Sequence, residues 1–106
     1  MSIKHTQQFH SRVAQHTNGK FVIVWADTDD TAMEDSNIVA RVFNPDGTPS
    51  GPELTVNQVR EGYQTWPGVA VNSDGDAMFV WDNNIEGVPY HISSVIIPRL
   101  LADPPK

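Results

Sequence analysis

Apolar residues along this chain come in short runs instead of at helical spacing, and the runs stop at Gly, Pro, Asn or Asp. Arg12 to Gln15 leads through Thr17-Asn18-Gly19 into Lys20 to Ala26, and Gly68 to Asn72 leads through Ser73-Asp74-Gly75 into Asp76 to Asp82. Each stretch reads as two short strands joined by a tight turn, with glycine where positive φ is needed. Further β-rich runs follow at Ile38 to Phe43 and His91 to Ile97, while Glu53 to Asn57 alternates, with Leu54 and Val56 on one face. Asn44-Pro45-Asp46-Gly47 is a turn signal. Pro45, Pro49, Pro52, Pro67, Pro89 and Pro98 break any helical register, so the pattern predicts an all-β chain.

The runs also repeat. Gln8 to Trp25 aligns without a gap on Gln64 to Trp81, an offset of 56 residues, with identities at Gln8/Gln64, Val13/Val69, Ala14/Ala70, Gly19/Gly75, Val24/Val80 and Trp25/Trp81. Beyond the tryptophans the polar loops 26–37 and 82–91 differ by two residues, and the offset falls to 54. Residues 1–106 are thus expected to form a single all-β domain of two blade-like units, four strands over about 8–57 and three over about 64–97. No counterpart of Glu53 to Asn57 follows Ile97. Units of this size seldom bury their own apolar faces and rely on neighbours.

The second strand of each unit is apolar on both sides. Phe21, Ile23 and Trp25 alternate with Val22, Val24 and Ala26, and Ala77, Phe79 and Trp81 with Met78 and Val80. A half-exposed antiparallel strand alternates apolar with polar, whereas a propeller blade is packed on both sides. Both faces of these strands are therefore expected to be covered, with Trp25 and Trp81 in equivalent structural positions. Propellers typically have about 4 to 8 blades. Two units are then expected either to close a ring by homo-oligomerisation, for example as three copies, or to be a fragment of a longer array. A seven-stranded β-sandwich is the alternative fold, and strand exchange in a dimer is an alternative assembly, because an uncovered edge invites pairing.

Charge narrows the partners. Seven Lys plus Arg against thirteen Asp plus Glu leave a net charge of −6, with no basic run interleaved with aromatics. Nucleic acid is therefore not an expected partner. No apolar stretch approaches the ~20 residues of a membrane span, so no membrane insertion is expected, and the first residues carry no signal-peptide pattern. Without cysteine there is neither a disulfide nor a thiolate nucleophile.

Val69-Ala70, Asp74-Gly75, Phe79-Val80-Trp81, Ile38 to Phe43, Asn44-Pro45-Asp46-Gly47 and Val56-Asn57 together resemble a tandem β repeat of bacterial surface and secreted proteins. Asn57, Gly62, Gln64 and Pro67 fit the same pattern across the junction. The resemblance covers residues 8–97 and implies a propeller-like, four-stranded unit in adhesive or calcium-associated proteins, at the cell surface or secreted. It brings no catalytic residues. Ser11 and Arg12 depart from it where the second unit has Pro67 and Gly68, as does Ile92-Ser93-Ser94-Val95 in place of Ile38-Val39-Ala40-Arg41.

Candidate chemistry is sparse. Asp27, Asp29, Asp30, Glu34 and Asp35 put five carboxylates within nine residues, an oxygen-rich loop of the kind that suits Ca²⁺. An EF-hand is excluded, since the twelfth position from Asp27 is Ile38. No cofactor is required, and calcium is the one candidate. Trp66, with Tyr63 and Tyr90, could form an aromatic platform for a sugar ring. No serine lies in a nucleophile-elbow context and no phosphate loop is present. The function expected is a non-enzymatic structural or interaction module with a glycan or protein ligand. A lectin-like carbohydrate-binding module is the alternative, and a calcium-stabilised module a weaker one.

Overall fold

The computed structural model describes the backbone of residues 6–29, 36–57, 63–85 and 88–103, and the side chains of 10–27, 37–57, 66–82 and 92–103. The described residues form seven strands: β1 (Thr6–Gln15), β2 (Phe21–Asp29), β3 (Ser36–Phe43), β4 (Leu54–Thr55), β5 (Tyr63–Val71), β6 (Ala77–Ile85) and β7 (Val88–Ile97). As the pattern predicts, the described residues are all-β. Strands β1 to β4 form one antiparallel sheet in chain order, and β5 to β7 a second. Among the described residues, a parallel pairing of Ser36 with Tyr63 joins the two.

Register repeats with the sequence. Val24 lies opposite Arg12 and Ala40 in the first unit, and Val80 opposite Gly68 and Ser94 in the second, positions related by the same shifts of 56 and 54. The irregularities repeat too. Bulges interrupt β1 between Phe9 and Arg12 and β5 between Thr65 and Gly68, and the bulge residues His10 and Trp66 have φ of 57° and 55°. Positive φ is uncommon away from glycine. Histidine and tryptophan have no shared preference for it, so the bulge belongs to the repeated strand geometry and is imposed on whichever residue stands there.

Strands run further than apolar patterning predicts. β1 starts at Thr6 and β2 continues through Asp29, so Asp27 and Asp29, expected in a loop, are strand residues, with Asp27 paired to Gln8 and Asn37. Asp82, Asn83 and Asn84 likewise belong to β6. Asp and Asn are poor strand formers by themselves, yet the ladder set by the apolar half carries its register through them. β4 is short and is extended by Val56 and Asn57. Val56 N–H donates to Ile38 C=O at 2.7 Å, and Ile38 N–H donates to Asn57 Oδ1 at 2.8 Å. The buried Asn57 amide thus continues the ladder where the backbone leaves it, and its Nδ2 donates to Asn37 Oδ1 at 3.1 Å.

One apolar core lies between the units, and they contribute opposite faces to it. In the first unit the covered residues are Val22, Val24 and Ala26 of β2 with Ile38, Ala40 and Val42 of β3, none more than 7 % exposed. In the second they are Ala77, Phe79 and Trp81 of β6, with Val69, Val71, Val95 and Ile97 packed against them. Through the repeat, Val22 and Val24 correspond to Met78 and Val80, which face away from the core, while Phe79 and Trp81 correspond to Ile23 and Trp25, which are only half-buried. The expectation that β2 and β6 are covered on both sides is therefore corrected. Each is covered on one side, because each unit has one neighbour within the chain. Trp81 is a core residue; its equivalent Trp25 is not.

After β7 the chain makes no fourth strand among its described residues. Pro98 to Leu101 turn back and insert Leu101, fully buried, into the shared core. Leu101 N–H donates to Gly75 C=O at 3.0 Å, and Asn18 Nδ2 of the first hairpin tip donates to Leu101 C=O at 2.8 Å. Lys20 Nζ stands 3.6 Å from Asp103. The tip of one unit thereby clasps the end of the other.

Two glycines test that clasp. Gly75 (φ +84°) and Gly47 (φ +91°) both sit in the left-handed region, but a Cβ at Gly75 would lie 2.7 Å from Ala102 N, whereas one at Gly47 meets nothing within 4 Å. Gly47→Ala should cost about 1–2 kcal/mol, the left-handed penalty alone. Gly75→Ala should cost more, about 3 kcal/mol, because it also displaces the backbone next to Leu101. Urea denaturation of both variants measures the difference, and equal losses would refute a role for this contact.

Candidate functional site

Trp66 is the one proposed sugar contact whose side chain is described. The β5 bulge lifts it to 54 % exposure, while the neighbouring Pro67 is buried and anchors the turn of the strand. The indole stacks on the imidazole of His10, its own repeat equivalent, with ring centroids 3.8 Å apart and planes 26° from parallel. One aromatic face is therefore already occupied. Tyr63 pairs with Asn84 at the start of β5, and Tyr90 lies in β7, so the backbone puts both in the second sheet with Trp66. Their side chains lie outside the described residues. The sequence singled out Trp66 but missed His10, although the shift of 56 residues already related the two positions.

The acidic segment is divided. Asp27 is a half-buried strand residue, Asp29 ends β2 with its side chain outside the described residues, and Asp30, Glu34 and Asp35 lie outside them altogether. Among the described residues no group of three or more His, Asp or Glu side chains is placed to hold a metal ion.

What the structure does bring together is an exposed apolar face on each outer side. On the second unit, Met78 of β6 pairs with Ala70 of β5 and Ile96 of β7, and Asp82 with Ile92. Met78, Ile92 and Ile96 are 44 %, 73 % and 58 % exposed. A shallow open groove of about 290 Å³ runs there, lined by Ala70, Val71, Asn72, Asp76, Met78 and Ile96. On the first unit, Val13 is 63 % exposed beside its strand partner Ile23, and Phe21 stacks on Phe43 with centroids 5.3 Å apart. Of these positions, Phe21, Ile23 and Met78 were legible in the sequence as the second apolar side of β2 and β6, but that side was expected to be covered.

At the groove's rim the second hairpin turn is fixed by carboxylate chemistry. Asn72 Nδ2 donates to Asp76 Oδ2 at 3.0 Å, and Arg99 N–H donates to Asp76 Oδ1 at 2.8 Å. The Asn72 hydrogen bond, then the Arg99 N–H, hold the Asp76 pKa below the ordinary carboxylate value. Thr48 does the same for Asp46 through its hydroxyl and its backbone N–H.

Comparison with known proteins gives no significant match to a family model, to a curated protein or to a solved structure. Function has to be read from the geometry of the chain.

Asp76 gives a pH signature. A carboxylate whose folded pKa is depressed adds stability that is fully present above its unfolded pKa and is lost as pH falls through the folded one. Asp76→Asn should therefore lower Tm near neutral pH and flatten its fall below about pH 4. Melting curves across that range measure it. An acid limb identical to the parent's would show that the turn carboxylate is not linked to folding.

Proposed function

We propose that this chain is a non-enzymatic β-repeat module that assembles with its own copies into a propeller-like array serving recognition or surface organisation. One observation carries the reading: Val13, Met78, Ile92 and Ile96 leave an apolar face open on each side of a two-unit stack. Fully burying an exposed side chain of this kind is worth about 1.5–3 kcal/mol, so a partner that covers both faces gains from their burial. A finished β-sandwich turns polar residues outward along its strands. The outward row of β7 instead reads Ile92, Ser94, Ile96, which favours a repeat array over the sandwich. The radius of gyration, 14.6 Å, also exceeds the roughly 13 Å of a self-contained domain of this size.

The resemblance to bacterial surface repeats agrees with a secreted or surface role. Light scattering after size exclusion should then give a species of two to four chains, since about 4 to 8 blades close a ring. A monomer at every concentration would overturn the proposal.

A carbohydrate-binding reading is favoured by one feature, the exposure of Trp66 on a strained bulge. It predicts specific binding on a glycan array that Trp66→Ala reduces at least tenfold, with unchanged thermal stability. Folded protein that binds no glycan would remove this reading.

A further inference from the structure

We infer that copies of this chain join head to tail, the outer face of the second unit of one copy seating on the outer face of the first unit of the next, in the register of the interface inside the chain. The inference rests on the assembly reading above and adds to it which surfaces meet and in what order.

The parity of burial leads to it. The internal interface joins the even-numbered face of β2, with Val22, Val24 and Ala26, to the odd-numbered face of β6, with Ala77, Phe79 and Trp81. The faces left open are the remaining half of each homologous pair. Met78 and Val80 on the second unit are the repeat equivalents of Val22 and Val24, and Ile92 and Ile96 those of Ile38 and Val42. On the first unit, Ile23 and Trp25 are the equivalents of Phe79 and Trp81, Val13 that of Val69, and Phe43 that of Ile97. Each open face therefore has, inside the same chain, a covered homologue whose partner is the homologue of the other open face. A second copy supplies both halves in the right orientation. Contacts of this heterologous kind make closed rings when the rotation closes, and open filaments when it does not.

The departures from exact repetition are compatible with such a joint. Asp82 replaces Ala26 on one open face, and Arg41 replaces Val95 on the other, so the two charges introduced are of opposite sign. Leu101, which plugs the internal interface, follows the last repeated residue Ile97, and none of the residues 44–50 that follow the equivalent Phe43 is buried, so the joint between copies lacks that plug. It should be weaker than the internal interface and dissociate on dilution.

Complementary blocking tests the order of contacts. Ile92→Lys with Ile96→Lys blocks the second-unit face at exposed positions; Val13→Lys with Ile23→Lys blocks the first-unit face. Each variant alone should be monomeric by light scattering, and an equimolar mixture should give a species of twice the chain mass and nothing larger, because only one productive joint remains. If the parent chain associates but the mixture stays monomeric, or if either variant alone still dimerises, head-to-tail order is refuted while assembly stands. A parent chain that is itself monomeric removes assembly as well. Should a lysine variant fail to fold, the absence of native cysteine allows a second measurement with Val13→Cys and Ile92→Cys chains. A short bismaleimide should join the unlike chains in preference to like ones, and a predominance of like pairs would overturn the inference.

Discussion

Two sheets have four faces, and this chain covers only two of them. The packing of the first unit's Val22, Val24 and Ala26 face on the second unit's Phe79 and Trp81 face is the contact on which the rest of the structure depends. A three- or four-stranded sheet without such a neighbour has too little buried surface to offset its conformational entropy. Once the face is covered, the hairpins on either side are held in one register and the outer faces are defined by exclusion. The core and the open surfaces are thus one fact seen from two sides in β2 and β6, where side chains alternate across the strand, while in β3 Val39 is buried as well, on the side away from Ile38 and Ala40.

The same contact explains the departures from strict repetition. Where the first unit completes its sheet with Leu54, Thr55 and the Asn57 amide, the second sends Pro98 to Asp103 back to its own hairpin tip and buries Leu101. A fourth strand would extend a sheet edge, whereas a plug closes the gap between sheets. Asn18 and Lys20, at the tip of the first unit, are the residues that reach the plug. Their repeat equivalents Asp74 and Asp76 perform no such clasp: Asp76 instead fixes the backbone N–H of Arg99 in its own unit.

Much of this was legible beforehand. The gapless match from Gln8 to Trp25 with Gln64 to Trp81 carried the strand pairing itself, down to the two-residue change of offset between β2 and β3, because register and loop length are linked arithmetically. Asn18-Gly19 and Asp74-Gly75 announced turns that need positive φ, and both glycines adopt it. Strand ends were less legible, since Asp27, Asp29 and Asn83 have side chains that read as loop while their backbones continue a ladder begun elsewhere. The sidedness of the core was hidden for a different reason. Valine at one parity and isoleucine or phenylalanine at the other look equally buried in sequence, and only the three-dimensional stacking order decides which of them meets a neighbour. The bulges at His10 and Trp66 were invisible because positive φ is uncommon away from glycine and the two residues share no side-chain chemistry that marks it.

That pair bears on the two functional readings together. His10 and Trp66 are equivalent positions in consecutive units, and they touch. Equivalent points on two units come within stacking distance only where the units converge, so the bulges mark the convergent edge of the stack. A further copy added by the internal rule would bring its own His10 to the free side of Trp66, since His10 stands to the next unit as Trp66 stands to this one. The indole would then be enclosed between two imidazoles, and the surface that suits a sugar ring in the single chain would be consumed by assembly. Self-association and aromatic sugar stacking at Trp66 are therefore competing uses of one ring face. The open apolar faces of both units weigh toward the first, because several exposed apolar side chains line them.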